Sequence, residues 1–333
     1  PESLEGTPEE ERLGAWLAAG MHGTMAYMAR EPGRRLDPAR LLPGTRSILC
    51  VALNYGTQEA DGARRAGEEP EDAAGPGPAR GRVARYARGR DYHRIFAARL
   101  RRLAEALQMS FPGTAARGHA DTGPVLEKLW AERAGLGWRG KHTNLVSRNF
   151  GSWLLLGELL LDLELAPDAP APDRCGSCTR CVEICPTGAL TAPHRLDARR
   201  CIAYLTIEHR GAIPVALRPL LGGHVFGCDD CLEVCPWNRF AREAREAGFT
   251  PRAGAVAPLL EELTALDDAG FLRRYAGTAV MRARREGLAR NACVALGNLG
   301  GEGAAEALSR AMEDPSPVVR EHAAWAQERL GER

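Results

Sequence analysis

Seven closely spaced cysteines give this 333-residue sequence its clearest chemical signal. The first run reads C-x2-C-x2-C-x3-C-P from Cys175 to Pro186, and the second reads C-x2-C-x3-C-P from Cys228 to Pro236. Thiolates at this spacing hold [4Fe–4S] clusters: three cysteines of a run bind one cluster, and the cysteine before the proline binds the other. The two runs therefore predict a pair of iron–sulfur clusters and electron-transfer chemistry.

Counting four ligands for each cluster assigns every cysteine of this region. Because the cysteine before each proline crosses over, the first cluster is predicted to be held by Cys175, Cys178, Cys181 and Cys235. The second cluster then receives Cys185, Cys228 and Cys231 and is one thiolate short. Cys201 is the only cysteine between the runs, and we assign it as the missing ligand. The region is thus predicted to be a bacterial ferredoxin-like domain with two [4Fe–4S] clusters.

Zinc binding and disulfide bonds are the alternative uses of these cysteines. Structural zinc sites use separated C-x2-C pairs, which a run of four cysteines ending in Cys-Pro fits poorly. Disulfides belong to oxidising compartments, whereas this sequence shows no signal peptide or apolar span and is predicted to be cytoplasmic. Cys50 and Cys293 lie in the apolar stretches SILCVAL and NACVAL, and we interpret both as core residues.

The rest of the chain must position this redox centre, and its length allows two or three domains. The net charge is +1, so any nucleic-acid binding must come from local patches. No segment reaches the apolar length that a membrane helix needs, so no membrane partner is expected. The sequence begins at Pro1 rather than at a methionine, from which we expect that part of the native N-terminus is missing.

The first half mixes helix and strand signals and is predicted to be an α+β domain. Residues 8–29 have amphipathic helical spacing with a break at Gly20, and residues 47–53 and 152–165 are apolar enough for buried strands. Residues 59–81 are rich in Gly, Pro, Ala and charge, and they are predicted to be a mobile loop. The linker-like stretch 167–173 is predicted to be a domain boundary.

Two arginine-rich segments are candidate phosphate-binding surfaces. Residues 80–102 contain nine arginines and a single acid, Asp91, with aromatic residues interleaved. Unpaired arginines beside aromatic rings suit contact with RNA phosphates, although charge runs are also common on solvated helix faces. A second basic patch comprises Arg273, Arg274, Arg282, Arg284 and Arg285.

Asp121 lies in the segment HADTGPVLEK, residues 119–128, and two roles are open for it. Aspartate shortly before a proline in the first turn is a common start signal of a helix, so Asp121 or Thr122 could cap a helix entered at Pro124. Asp121 could instead be a catalytic acid. The next stretch, residues 135–145, is a glycine-containing loop with Trp138, and its backbone could approach a ligand closely.

Residues 246–333 are predicted to be all-α. The segments 288–299 and 318–326 place Arg290 and Arg320 at corresponding positions, with small apolar residues at matching offsets around them. This pattern predicts a pair of short HEAT-like helical repeats, although the period is shorter than is usual for that class. Repeats of this kind offer an extended concave binding surface rather than a catalytic pocket.

The motifs in their order resemble those of one family over nearly the whole chain, the epoxyqueuosine reductases, which are cobalamin-dependent tRNA-modifying enzymes. Together these motifs are more specific than the cysteine spacing alone. Besides the cysteine runs, the matching stretches are WLAAGMHGTMAYM (16–28), DPARLLPGTRSILCVALNY (37–55), RYARGRDYH (85–93), DTGPVLEKLWAERAGLGWRGKHTNL (121–145), GSWLLLGE (151–158), RCIAYLTIEHRG (200–211) and RNACVALGN (290–298).

The resemblance implies three domains and one reaction. Residues 1–172 would form a cobalamin-binding catalytic domain, residues 173–245 the two-cluster domain, and residues 246–333 the tRNA-contacting repeats. The implied reaction is reduction of epoxyqueuosine to queuosine at the wobble position of tRNA, the final step of queuosine biosynthesis. The implied partners are tRNAs with GUN anticodons (Tyr, His, Asn and Asp types) and a low-potential electron donor such as flavodoxin or ferredoxin, and the enzyme is expected to be a monomer.

The resemblance also implies site residues. Asp121 matches the family's proposed general acid, which favours the catalytic role over the cap, and desolvation beside the corrin would let the carboxyl keep its proton. The cobalamin motif D-x-H-x-x-G is absent because Phe96 stands where its glycine is needed, so we expect base-off cobalamin without a histidine on cobalt. The implied cofactor-binding residues are Tyr92, His93, Trp138, Gly140, Lys141, His142 and Asn144; family members often have asparagine in place of His142.

Two other classes of protein remain open. A reductive-dehalogenase-like cobalamin oxidoreductase acting on a small molecule would share the cofactors, but it would not need basic patches and helical repeats. A non-enzymatic electron carrier would need only residues 173–240. Identification of the bound cofactor would separate the carrier from both enzymes, and nucleoside analysis of tRNA from a deletion strain would separate the two enzymes.

Overall fold

A computed structural model describes residues 1–56 and 77–332. The loop predicted over residues 59–81 lies largely outside these residues. Its last residues, 77–81, are described, and they pack against the C-terminal half: the Gly81 N–H donates to the Pro258 carbonyl at 2.8 Å and the Leu260 N–H to the Ala79 carbonyl at 3.0 Å. Within the described ranges, no helix combines the length and the apolar character that crossing a membrane requires.

The N-terminal part alternates short helices and strands. Its elements are α1 (Pro8–Ala18), α2 (Ala26–Ala29), α3 (Gly33–Leu36), β1 (Ser47–Asn54), β2 (Arg82–Val83), α4 (Tyr92–Ser110), β3 (Ala116–His119), α5 (Glu127–Arg133), β4 (Trp138–Arg139), β5 (Leu145–Val146) and β6 (Leu154–Leu161). The helix predicted over residues 8–29 is shorter than expected, since α1 ends at Ala18 and turns separate it from α2. The predicted break is present at Gly20, where a positive φ of 62° suits glycine.

The central sheet has the order β1-β6-β3, and both pairings are antiparallel. Side chains alternate between the faces of a strand, so Leu159 and Leu161 of β6 pack on the core that includes α4, whereas Leu156 and Leu160 pack on the core that includes α5. Glu158 shares the α5 face. The register places it between Cys50 of β1 and His119 of β3.

The cysteine-rich part is a compact set of short elements. They are α6 (Arg180–Glu183), β7 (Leu190–Ala192), β8 (Arg195–Leu196), α7 (Ile202–Ile207), β9 (His224–Phe226) and α8 (Asp230–Glu233). The two short helices that follow the leading cysteines, α6 and α8, pack against each other. Strand β9 pairs in parallel with β2, which ties this part to the N-terminal half.

The C-terminal part is helical, as predicted. It contains α9 (Leu260–Thr264), α10 (Asp268–Tyr275), α11 (Arg284–Leu299), α12 (Ala304–Ala311) and α13 (Pro317–Gly331). Residues 287–299 of α11 are all buried, because α11 packs against α7, α9, α12, α13 and β9. This helix is therefore a core element of the C-terminal part.

Two buried polar residues attach α11 to the cysteine-rich part. Arg290, only 1% exposed, donates to the carbonyls of Leu205 at 2.6 Å and Gly211 at 2.8 Å. Asn291 donates to the carbonyls of Thr206 at 2.9 Å and Val225 at 2.8 Å. Because a buried donor without an acceptor is costly, these bonds fix the orientation of α11. One hydrophobic core then runs through all three parts of the chain.

Candidate functional site

The Asp121 carboxylate is held by two neighbouring side chains at the start of α4. Tyr92 donates its hydroxyl to Asp121 Oδ2 at 2.7 Å, and His93 Nε2 lies 3.0 Å from the same oxygen. The backbone of Asp121 has φ of +60°, an uncommon conformation for a residue other than glycine. Its side chain is 59% exposed, so a substrate can reach the carboxylate.

His93 is fixed at both ring nitrogens. Its Nδ1 lies 2.7 Å from Asp91 Oδ1, and the same Asp91 oxygen accepts the His93 backbone N–H at 3.0 Å as the N-cap of α4. Burial lowers the pKa of His93, but the hydrogen bonds and charges of Asp121 and Asp91 outweigh it and raise this pKa to about 9. The imidazole is therefore protonated at neutral pH and forms an ion pair with each aspartate.

The expectation that Asp121 keeps its proton through desolvation is wrong for this arrangement. Desolvation does raise the pKa of Asp121, but the hydrogen bonds from His93 and Tyr92 and the positive charges of His93 and Lys128 lower it below the usual aspartate value. The carboxylate is ionised, and the proton of the pair lies on His93.

The N-cap interpretation of Asp121 is also wrong. Helix α5 begins six residues later, at Glu127, and its N-cap position is Leu126, without a side-chain cap. The contact runs in the opposite direction, since Glu127 Oε1 of α5 accepts the backbone N–H of Asp121. The carboxylate of Asp121 is thus available for chemistry rather than engaged at a helix terminus.

The four cysteines assigned to the first cluster lie around one cavity. This cavity is lined by Cys175, Cys178, Cys181 and Cys235, together with Lys141, His142, Arg180, Pro236 and Trp237. Cys235 belongs to the second run of the sequence, so this cavity brings together cysteines from both runs. Burial raises the pKa of Cys181 to about 11, so iron must displace thiol protons when it binds here.

The other four cysteines come together separately. Cys201 interacts electrostatically with Cys185, and the thiol of Cys231 interacts with both of them. Cys228 interacts with Cys231 and Cys201. Cys201 itself occupies the N-cap position of α7. Cys50 and Cys293 are buried elsewhere, in agreement with their interpretation as core residues.

The second set of cysteines lies on the side of the molecule that carries Asp121. Lys128 follows Glu127 in α5, and its ammonium group interacts with Asp121 and Glu127 as well as with Cys231 and Cys201. It also donates to Asn144 Oδ1 at 2.7 Å. Lys128 therefore links the acidic site to the second set of cysteines.

The loop over residues 138–144 divides its side chains between the two regions. Trp138 donates its indole N–H to Cys175 Sγ at 3.4 Å, and Lys141 donates to the Gly176 carbonyl at 2.7 Å. His142 is buried and lines the cavity of the first set. Asn144 instead reaches Lys128, and a Cβ on Gly140 would lie 2.8 Å from Val146 Cγ2, so glycine keeps this turn tight.

Several arginines that the sequence suggested to be unpaired are in fact in ion pairs. In the first segment, Arg82 pairs with Asp230 at 3.0 Å and Arg99 pairs with Glu246. In the second, Arg282 pairs with Glu208 at 2.6 Å. Further pairs are Arg85–Glu233, Arg101–Glu105, Arg274–Glu262 and Arg285–Asp314. Arg90, Arg94, Arg102, Arg273 and Arg284 are exposed and form no salt bridge among the described residues.

Sequence reasoning missed three acidic residues of this region. Asp91 was recognised only as an exception in a basic segment, yet it fixes His93. Glu127 was read as part of a helix, and it supports the Asp121 backbone. Glu158 could have been identified from the sequence, because it is an ionisable residue inside the apolar run SWLLLGELLL. Burial of such a residue is costly unless it has a partner.

Comparisons with known proteins place these features in a family. The family model described as "4Fe-4S double cluster binding domain" matches residues 174–238. The family model described as "Epoxyqueuosine reductase QueG, DUF1730" matches residues 35–122. The first match covers all eight cysteines assigned above, and it supports two iron–sulfur clusters. The second includes the Asp91, Tyr92, His93 and Asp121 site.

Curated relatives match along most of their length. The epoxyqueuosine reductase of Xanthomonas campestris pv. campestris is 48% identical over 319 residues, which cover 96% of this chain and 88% of that protein. The enzyme of that name from Pseudomonas aeruginosa is 46% identical, with 97% of this chain and 88% of that protein covered. The one from Escherichia coli K12 is 43% identical, with 95% and 81% covered.

Solved structures agree with this fold. A crystal structure of epoxyqueuosine reductase with an epoxyqueuosine-modified stem loop of tRNA-Tyr has a TM-score of 0.89 at 31% identity, covering 99% of this chain and 85% of that one. The enzyme from Bacillus subtilis, with a catalytic aspartate loop swung out of its active site, has a TM-score of 0.88 at 30% identity, covering 99% and 84%. The chain belongs to the epoxyqueuosine reductase family.

Proposed function

We propose that this chain reduces epoxyqueuosine to queuosine at the wobble position of tRNA, the final step of queuosine biosynthesis. The epoxide takes up two electrons and two protons, becomes the alkene of a cyclopentene ring and releases water. The observation that carries the proposal is the exposed Asp121 carboxylate, held by Tyr92 and His93, in a chain of this family. The tRNA stem loop bound by a solved relative supports tRNA as the substrate.

The proposed route of electrons follows the two sets of cysteines. The first cluster, on Cys175, Cys178, Cys181 and Cys235, lies in a loop region with many exposed residues and is proposed to accept electrons from a low-potential donor such as flavodoxin or ferredoxin. The second cluster, on Cys185, Cys201, Cys228 and Cys231, lies on the Asp121 side, next to Lys128. It is proposed to pass electrons to the catalytic site.

The contacts of His93 fit base-off cobalamin, in which no histidine of the protein binds cobalt. Both nitrogens of His93 are engaged, by Asp91 at 2.7 Å and by Asp121 at 3.0 Å, so the histidine could bind cobalt only by giving up one of them. We propose Tyr92, His93, Gly140 and Asn144 as residues of the cobalamin site. Trp138, Lys141 and His142 are assigned to the surroundings of the first cluster, which their contacts favour. Bound cobalamin would supply a strongly reducing, nucleophilic centre for the epoxide carbon.

The protein residues have a defined task in proton delivery. The proton resides on His93 Nε2, which faces Asp121 Oδ2. As negative charge develops on the epoxide oxygen, the His93 proton moves to Asp121 Oδ2, and Asp121 relays a proton to the epoxide oxygen. Tyr92 keeps the carboxylate in place through its hydroxyl. General acid catalysis of this kind contributes about 10²–10⁴-fold to a rate.

The remaining assignments complete the proposal. Residues 1–172 are proposed as the catalytic domain, residues 173–245 as the two-cluster domain, and residues 246–333 as HEAT-like repeats that contact tRNAs with GUN anticodons. The enzyme is proposed to act as a monomer in the cytoplasm, where its tRNA substrate is found. The relatives reported above are epoxyqueuosine reductases, which speaks against the dehalogenase-like alternative and against an isolated electron carrier.

A complementation experiment tests the proposed function. A bacterial strain that lacks its own epoxyqueuosine reductase accumulates epoxyqueuosine in tRNA, and expression of this chain should convert it to queuosine, detected by mass spectrometry of tRNA nucleosides. Asp121→Asn should leave epoxyqueuosine in place. Accumulation of epoxyqueuosine despite abundant, cluster-loaded wild-type protein would contradict the proposal.

A further inference from the structure

Glu158 is a fully buried carboxyl that the mechanism above does not use. It lies in the middle strand β6 with 0% exposure, and neither of its carboxylate oxygens has a hydrogen-bond donor among the described residues. A buried, ionised carboxylate without a donor is strongly unfavourable. We therefore expect the Glu158 carboxyl to be protonated and to have a hydrogen-bond acceptor nearby.

The groups that face Glu158 identify this acceptor. Cys50 of β1 and His119 of β3 are its neighbours across the strands, and the carboxyl group of Glu127 in α5 interacts with it directly. Two carboxylates cannot bond to each other, but a proton on one supplies the missing donor. The cations in the region, Arg35 and Lys128, interact with Glu127. Of the two, Glu127 is therefore the carboxyl that ionises more readily, although the Asp121 charge opposes this, and Glu158 is the one that keeps its proton.

The other end of Glu127 reaches the catalytic loop. Glu127 Oε1 accepts the backbone N–H of Asp121, whose φ of +60° needs support from its surroundings. We propose that Glu158 donates its proton in a hydrogen bond to Glu127 and thereby fixes Glu127 as the acceptor that positions the Asp121 loop. The proposal makes Glu127 and Glu158 positioning residues, and it rests on the proposed function only in taking Asp121 as the catalytic group.

The charges around the pair agree with this division of roles. Burial and the neighbouring Glu127 raise the pKa of Glu158 far above the usual glutamate value. Burial also raises the pKa of Glu127, although the Asp121 N–H and Lys128 oppose this. Burial and the positive charges of Arg117 and Arg34 lower the pKa of His119, so its imidazole is neutral and does not compete for the proton. A solved relative has its catalytic aspartate loop swung out of the active site, so such a loop can occupy two positions and requires a device that favours one.

Infrared difference spectroscopy on the cluster-loaded full chain tests the proton. At neutral pH, the wild-type spectrum should contain a carbonyl band of a protonated carboxylic acid that disappears in Glu158→Gln. Glu132→Gln is the matched control: it removes another glutamate of α5, one that pairs with Arg139 at 3.2 Å, and it should leave the band in place. A spectrum without such a difference band would overturn the proposal.

Hydrogen exchange of the Asp121 amide tests the positioning role without any measurement of turnover, so its failure is separate from a failure of the proposed function. Glu158→Gln keeps a neutral donor of the same shape and should keep the amide protected, whereas Glu158→Met removes the donor. In the Met variant the amide should exchange about tenfold faster, the effect expected for loss of one hydrogen bond to a charged acceptor. Equal exchange rates in the Gln and Met variants, corrected for intrinsic pH dependence, would overturn the proposal.

Discussion

His93 Nε2 lies 3.0 Å from Asp121 Oδ2, and this contact decides which of the two residues stores the catalytic proton. The pKa of His93 is raised to about 9, whereas that of Asp121 is lowered. Before substrate arrives, the pair is therefore an imidazolium and a carboxylate. Asp121 can deliver a proton to the epoxide oxygen only after it receives one from His93, which is positioned to supply it.

Asp121→Asn tests this delivery. The amide keeps the shape of the side chain but offers no acidic proton, so turnover should fall by about 10²–10⁴-fold. Folding and tRNA affinity should be unchanged, since Asp121 does not cap α5. Single-turnover assays with cluster- and cobalamin-loaded protein measure the loss. Asp168→Asn, in the exposed linker, is the control, and a near-normal rate for Asp121→Asn would show that the proton comes from another group.

The titration of His93 provides a prediction that does not depend on turnover. In the full chain with isotope-labelled histidine, the NMR signal of His93 should titrate near pH 9, and Asp121→Asn should move this midpoint towards the ordinary histidine value of 6.5. Because the folded pKa is raised, the stabilising contribution of protonated His93 is complete below about pH 6.5 and is lost as the pH rises through about 9.

The local sequence was sufficient for the parts of the site whose chemistry is encoded in spacing. Ligand counting grouped Cys235 with Cys175, and the structure brings both to one cavity. It also grouped Cys201 with Cys185, and their thiols interact. Strands β1 and β6 were visible as apolar runs because β6 is buried and β1 is partly buried beside it. Patterns of this kind can be read from the sequence because they depend on residue type and spacing along the chain.

Contacts between distant segments could not be read from the sequence. The arginines of residues 80–102 looked unpaired because their acids, Asp230, Glu233 and Glu246, lie more than a hundred residues away. The protonation state of Asp121 depended in the same way on Tyr92 and His93, which reach it from another element. Such pairings follow from the tertiary fold, and a count of charges along one segment cannot reveal them.

Iron content should distinguish the two sets of cysteines. Anaerobically reconstituted wild-type protein should hold about eight irons, four for each cluster. Cys201→Ala should lose one cluster and about half of the iron, because Cys185, Cys228 and Cys231 would then be one ligand short. Cys50→Ala and Cys293→Ala remove buried thiols outside both sets and should keep the full iron content. Eight irons in the Cys201 variant would contradict the ligand assignment.

The Trp138 indole should influence the reduction potential of the first cluster. Its N–H donates to Cys175 Sγ at 3.4 Å, and hydrogen bonds to cluster sulfurs favour the more negative, reduced state. Trp138→Phe should therefore lower the potential of one cluster, as measured in an EPR-monitored redox titration. The control is Trp237→Phe, since the Trp237 indole donates to the Arg174 carbonyl at 3.3 Å rather than to a sulfur. Equal potentials in wild type and Trp138→Phe would show that the Trp138 indole does not influence the reduction potential of the cluster.

The salt dependence of tRNA binding separates arginines that can meet phosphates from those that are already paired. Arg90 and Arg94 are exposed and outside the salt bridges of the described residues, whereas Arg282 is held by Glu208 through two hydrogen bonds of 2.8 and 2.6 Å. Each phosphate contact releases counterions, so its removal lowers the slope of log affinity against log salt by about 1.

We therefore expect Arg90→Gln and Arg94→Gln each to reduce this slope, as measured by fluorescence anisotropy with an anticodon stem loop at several salt concentrations. Arg282→Gln should change it much less, because the arginine charge is already balanced within the protein. The same slope in all three variants and in wild type would mean that residues 80–102 form a solvated helix face. A larger effect at Arg282 would show that its ion pair opens when tRNA binds, and the tRNA surface would then have to be assigned to residues 273–285 instead.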